Sequence, residues 1–122
     1  MVVGDSGRGR GEVSHLEDTL GLIIDDAGLP EFKRNYHFDK PRSKREMDFA
    51  WPEYKVGVEV QGGIWARGAH TRGAGYMRDC SKLDDAQLQG WILLWVTAHH
   101  IEHGKALVWI RRALTERGWR DA

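Results

Sequence analysis

Apolar residues first recur at helical spacing at Leu16, Leu20, Ile23, Ile24 and Ala27, and Gly28 with Pro30 stops the run. Ser14, followed three residues later by Glu17, has the form of a capping box, so the first helix is predicted to start at Ser14. The period then changes. Residues 31–37 suit a short edge strand. After it Met47, Phe49 and Trp51 alternate with polar or small residues, as do Val56, Val58 and Val60, with Pro52 and Glu53 between the two runs: a hairpin. A glycine-rich, basic loop from Gly62 to Gly75 leads into a helix from about Tyr76 to Gln89, which Gly90 ends. The run "WILLWV" is continuously apolar, as in a strand covered on both faces, and a last helix near Gly104 to Arg117 buries Ala106, Leu107, Ile110 and Leu114. Helix, strands, helix, strand, helix predicts an α/β sandwich around a mixed sheet, without internal repeats.

A hairpin turning around Glu53 and Tyr54 sets Phe49 opposite Val58, Trp51 opposite Val56, and Asp48 opposite Glu59. Opposed residues share a face, with Cβ atoms roughly 5 Å apart, where two like charges destabilise a sheet. Gln61 falls on the same face by the period of two, and the valines fall on the other, so the valine face is expected in the core and the acidic face is the working one. Two readings account for the acids: a divalent cation between them, or ordinary pairing with Arg45 and Lys55. Oxygen ligands of this kind suit Mg²⁺, which takes one or two carboxylates and completes its shell with water and substrate phosphate. Phosphodiester hydrolysis is the chemistry that such a centre supports.

The 122 residues fit one domain, read as 14–122 behind a glycine-rich, flexible arm at 1–13 whose Arg8 and Arg10 are able to touch a polyanion. Apolar residues make up 41% and charged residues 30%, and no run reaches the roughly 18 apolar residues that cross a bilayer. The first residues lack the apolar segment of a secretory signal, which points to the cytoplasm. Cys80 stands alone, so neither an intramolecular disulfide nor a cysteine-rich metal site is possible. The net charge of zero hides local patches. Lys33, Arg34, Lys40, Arg42, Lys44 and Arg45 face only Asp39, while Arg67, Arg72, Arg78 and Lys82 face only Asp79. Basic patches beside an acidic centre suit a protein that grips phosphates around a metal, although a solvated surface has the same composition.

Other constellations are weaker. His99 and His103 would meet on a helix, but they bring no cysteine and only Glu102 as a nearby carboxylate, which argues against zinc. Trp51, Trp91, Trp95 and Trp109 occupy apolar-periodic positions, whereas Trp65 lies in the basic loop and is the candidate for contacting DNA. "GDSGRGRG" lacks the lysine and the preceding strand of a phosphate-binding loop.

Asp48, ten residues and then "EVQ" resembles the PD-(D/E)XK nuclease superfamily, and "VEVQGGIWARGAH…GYMRDCSKLDDAQLQGWILLWV" is similar to the very-short-patch-repair endonucleases and their small relatives. The resemblance spans roughly residues 14 to 115 and implies a restriction-endonuclease-like α/β sandwich, its central mixed sheet flanked by helices. It would make Asp48 and Glu59 metal ligands, Val60 a carbonyl ligand and Glu17 an added acid, unless Glu17 merely completes the capping box. Gln61 stands where the motif usually has lysine and cannot supply a positive charge. Lys82, on the following helix, and His70, in the loop, are the candidates to replace it, and Lys82 could instead pair with Asp79. The implied function is a Mg²⁺-dependent endodeoxyribonuclease, with Mn²⁺ as substitute, in DNA recombination or repair. Lys33, Arg34, Arg42, Lys44, Arg45, Trp65, Arg67 and Arg72 would hold the DNA. Small size favours reading DNA shape over sequence, hence a homodimeric Holliday junction resolvase; a mismatch or nicking repair endonuclease and a non-catalytic nucleic-acid-binding module are the alternatives.

Overall fold

A computed structural model describes residues 6–62 and 73–121, with side chains from residue 13 onward. The elements run α1 (Ser6–Asp26), β1 (Lys33–His37), β2 (Glu46–Trp51), β3 (Val56–Gln61), α2 (Gly73–Leu88), β4 (Ile92–Thr97), α3 (Ala98–Glu102) and α4 (Lys105–Glu116). The four strands form one mixed sheet in the order β1-β2-β3-β4, with β1, β2 and β3 antiparallel in turn and β4 parallel to β3. Parallel strands need a crossover, and α2 supplies it. The architecture is therefore the α/β sandwich that the pattern predicts. No helix among the described residues is long and apolar enough to cross a membrane.

Two cores cover the two sheet faces. Phe49, Trp51, Val56, Val58, Val60 and Val96 pack with Leu20 and Ile24 of α1, Ile101 of α3, and Ala106, Ile110 and Leu114 of α4. Met47, Ala50 and Leu93 pack on the other face with Ala86 of α2, Phe38 and Trp91. Trp51 is fully buried, and its Nε1 donates to the Pro30 carbonyl at 2.8 Å, which ties the chain leaving α1 to the sheet. The face carrying Glu59 is thus not open to solvent along its length, as a one-sided sheet would be: Gly57, two residues before it, lies beneath Met47 and Leu93. The "WILLWV" run is covered on both faces but forms the sheet's edge.

Helix α1 begins at Ser6, not at Ser14, so Ser14 is an interior residue and the capping box does not exist. The added turns carry Val13 onto the end of β3, where a Cβ placed on Gly62 would overlap the Val13 side chain. The short α3 departs from the pattern as well. Thr97 caps it, accepting from the His100 N–H at 3.3 Å, while the His100 Nδ1 accepts from the Thr97 N–H at 3.0 Å.

A candidate active site where β2 and β3 part

The β2–β3 ladder pairs Trp51 with Val56, Ala50 with Gly57 and Phe49 with Val58, the register expected from the turn. At the next step the side chains take over from the backbone. The Asp48 N–H donates to Glu59 Oε2 at 3.1 Å, and the Val60 N–H donates to Asp48 Oδ2 at 2.7 Å. Each carboxylate thereby satisfies a main-chain donor of the opposite strand, and the bond to Asp48 has the short geometry of a charge-assisted one. Strict alternation also fails here: Met47 joins Ala50 in the α2-side core, whereas Phe49 and Trp51 lie in the other. Across β1, Asn35 falls between the paired residues Arg34 and Tyr36, opposite Asp48, and adopts a left-handed φ of 50°. The irregularity coincides with the level at which the two acids turn inward.

Lys82 answers one of them. Its Nζ lies 2.8 Å from Glu59 Oε1, and both side chains are largely buried. Lys82 is four residues before Ala86, the α2 residue that is fully buried against the sheet, so helical spacing aims it at the same face. The ordinary pairings considered for this region do not form. Lys55 donates to the Gln89 carbonyl, and Arg45 binds Asp39 at 2.6 Å and Asp85 at 2.9 Å.

Glu17 approaches from α1 with 14% of its side chain exposed and accepts from Arg34 Nη2 at 2.7 Å. The Arg34 guanidinium also lies over the Phe49 ring, 4.7 Å from its centroid. Burial raises the Glu17 carboxyl above its ordinary value, Asp48 adds to the rise, and Arg34 opposes it. Burial likewise raises Asp48, against the pull of the Val60 N–H and Lys82. Glu59 is pushed up to about 7, first by burial and then by Asp48, with Lys82 working the other way. The three acids are short of positive charge.

Asp48 Oδ1 accepts no hydrogen bond among the described residues, whereas both Glu59 oxygens are engaged. No group of three or more His, Cys, Asp or Glu side chains able to hold a metal occurs among them. Two neighbouring carboxylates alone would fit only an ion that takes most of its shell from water or phosphate, not one held in a closed protein cage. Beside Lys82 an open groove is lined by Arg45, Ala74, Met77, Arg78, Asp79 and Ser81.

The remaining residues fall into three sets. Gln61 ends β3 as the partner of Thr97, half-buried, and its amide makes no hydrogen bond among the described residues. Lys33, Arg42 and Lys44 are exposed, but Arg34 and Arg45 are committed to carboxylates and are not free phosphate contacts. Trp65, Arg67, His70 and Arg72 lie outside the described residues. His99 and His103 do meet, with ring centroids 4.3 Å apart, on α3 and just beyond it. The sequence reading missed two partnerships. One is Arg34 with Glu17; the other is the buried Asp39, which Arg45, Ser43 and Gln89 hold well below the usual carboxylate range. A lone acid amid basic residues was the available signal for the second. No protein-family model matches the chain, and no curated protein or solved structure shows significant similarity to it.

Proposed function

We propose that this protein is a metal-dependent DNA endonuclease that hydrolyses phosphodiester bonds, with branched or distorted duplex as its substrate. One observation carries the reading: two inward-turned carboxylates, Asp48 and Glu59, face each other across neighbouring strands just past the last paired residues, with a lysine ammonium 2.8 Å from one of them. Asp48, Glu59 and the Val60 carbonyl would hold Mg²⁺, or Mn²⁺ in its place. The bound ion supplies Lewis acidity toward the phosphate and charge stabilisation for the leaving oxygen. Lys82 keeps a cation where Gln61 cannot, on the Glu59 carboxylate, and is positioned to stabilise charge developing on a phosphate. Arg78 in the adjoining groove, with Lys33, Arg42 and Lys44, offers phosphate contacts that position the backbone without reading bases.

Four-way junctions are the preferred substrate, and mispaired or nicked duplex is the competitor. A panel of junction, mismatched, nicked, plain-duplex and single-stranded DNA with Mg²⁺ or Mn²⁺ tests both. Paired symmetric cuts in the junction support a resolvase, and nicks beside a mispair support repair. Asp48→Asn and Glu59→Gln are expected to lower cleavage by at least about 10²-fold with DNA binding retained. A second reading, a binding module without catalysis, draws on the full engagement of both Glu59 oxygens and on the glutamine at position 61. DNA binding without cleavage of any substrate in the panel would select it.

A further inference from the structure

We infer that β4 is a dimer interface through which two copies of this chain join their sheets edge to edge, antiparallel, about a two-fold axis at Leu94. The inference stands independently of the nuclease reading. The two edges of the sheet differ in chemistry. β1 exposes Lys33, Arg34 and Asn35, the charged and irregular edge that discourages pairing, while β4 reads Ile-Leu-Leu-Trp-Val-Thr without a charge.

The hydrogen bonds select a register. Ile92 donates to the Lys55 carbonyl, so by alternation Ile92, Leu94 and Val96 turn their backbone groups to β3, and Trp91, Leu93, Trp95 and Thr97 turn theirs outward. The outer two donors are already used: Trp91 N–H goes to the Ala86 carbonyl and Thr97 N–H to His100 Nδ1. Between them, the N–H groups of Leu93 and Trp95 have no partner among the described residues. An antiparallel pair in which Leu93 faces Trp95 of a second copy, and Trp95 faces its Leu93, uses the N–H and C=O of both residues in both copies. That register is self-complementary and places Leu94 opposite Leu94, which is the condition for a closed, isologous dimer.

The groove along this edge carries matching side chains. Ile92, Leu94 and Trp95 line it with Trp109, Arg112 and Glu116 of α4. α4 packs over both β3 and β4, so continuing the sheet at about 4.8 Å per strand sets the two α4 helices about 10 Å apart, a normal helix packing distance. Arg112 and Glu116 are exposed, one turn apart, and neither has an ion-pair partner among the described residues. Antiparallel copies bring Arg112 of each against Glu116 of the other. Because the axis is normal to the sheet, both Glu59 positions would face the same side, about 15 Å apart across three strand spacings and a small offset.

Light scattering on the size-fractionated full chain, at on the order of 10 μM, decides the state; a dimer of the 13.9 kDa chain is expected. Leu94→Lys, which opposes two lysines at the axis, should be monomeric with its circular dichroism retained. Amide exchange should show Leu93 and Trp95 protected in the wild type and losing protection on dilution. Arg112→Glu and Glu116→Arg change exposed side chains, and each should weaken self-association at least tenfold. Their equimolar mixture restores both ion pairs and should form a heterodimer. A monomeric wild type, a folded Leu94→Lys dimer, or a mixture that associates no better than its components overturns the interface.

Discussion

Glu59→Gln should make the protein more stable at alkaline pH, even though it removes an ion pair. The Glu59 carboxyl stands at about 7 in the folded chain against an ordinary 4.5. Between those values the native state keeps a proton that the unfolded chain has released. Stability therefore falls as pH rises from about 4.5 to about 7, and the loss is complete above that window. A separation of about 2.5 units corresponds to roughly 3 kcal/mol at pH 8, with the attraction of Lys82 already included. Glutamine, close in shape to the protonated acid, escapes that cost. Near pH 4 the variant should match the wild type within about 1 kcal/mol, and at pH 8 it should exceed it by roughly 3, about 10 °C in melting temperature for a domain of this size. The assay is chemical denaturation across pH 4 to 9 without divalent ions, with the transition assigned to the Asp48, Glu59 and Lys82 cluster as a whole. Added Mg²⁺ should raise wild-type stability at pH 8 and do much less for the variant. A variant less stable than wild type at pH 8, or a difference that does not change with pH, refutes the reasoning.

Lys82→Met removes the cation from Glu59, so cleavage should fall by about 10² or more while far-ultraviolet circular dichroism is unchanged, and the pH transition in stability should move upward. Arg45→Ala strips Asp39 and Asp85 of their shared partner and should lower the melting temperature without altering the salt dependence of DNA binding; Lys44→Ala should do the reverse, reducing the salt slope by about one. Gly57→Ala would drive a Cβ into Met47 Sδ and to 3.2 Å from Leu93 Cδ1, and calorimetry should show a loss of about 1–3 kcal/mol.

The hairpin register was legible because Phe49, Trp51, Val56 and Val58 alternate and the turn fixes which residues oppose; it extends correctly to the Asp48 and Glu59 contact. The Lys82 partnership was legible as one of two options, since its helix follows the strand and must lie against one face of the sheet. Asp79, its alternative partner, is far closer in sequence, three residues away on the same helix, so sequence proximity alone favoured it over Glu59, which the packing of α2 on the sheet brings near. The alternative of a solvent-facing surface with ordinary ion pairs does not hold, for a physical reason. Alternation reports which residues share a face, not whether a crossover helix will cover that face, and the small Gly57 beneath Met47 and Leu93 was the residue that signalled close packing there. The false cap at Ser14 failed because a capping box inside a helix looks the same as one at its end. Arg34 was read as a phosphate contact from composition alone, while its partner Glu17 lies on an element that only the tertiary fold brings near.

The charge balance of the cluster argues that ion and DNA would bind together. Glu17, Asp48 and Glu59 are its acids, and Arg34 and Lys82 its cations, each already paired with one of them. Fully ionised, the set is one positive charge short, which fits the upward shift of all three acids. A divalent cation would carry it past neutrality by one charge, and a backbone phosphate, with one negative charge, would bring it back. Each ligand then removes the excess that the other creates, so their affinities are coupled, and the coupling factor must be the same measured from either side. Ca²⁺, which takes the same oxygen ligands, allows both arms to be read: its affinity by calorimetry with and without a four-way junction, and junction affinity by anisotropy with and without the ion. Coupling of about 1–3 kcal/mol is expected in the wild type, and Asp48→Asn, which removes a ligand and one negative charge, should weaken the affinity for the ion itself. If ion and junction bind without affecting one another, the cluster is not the place where they meet.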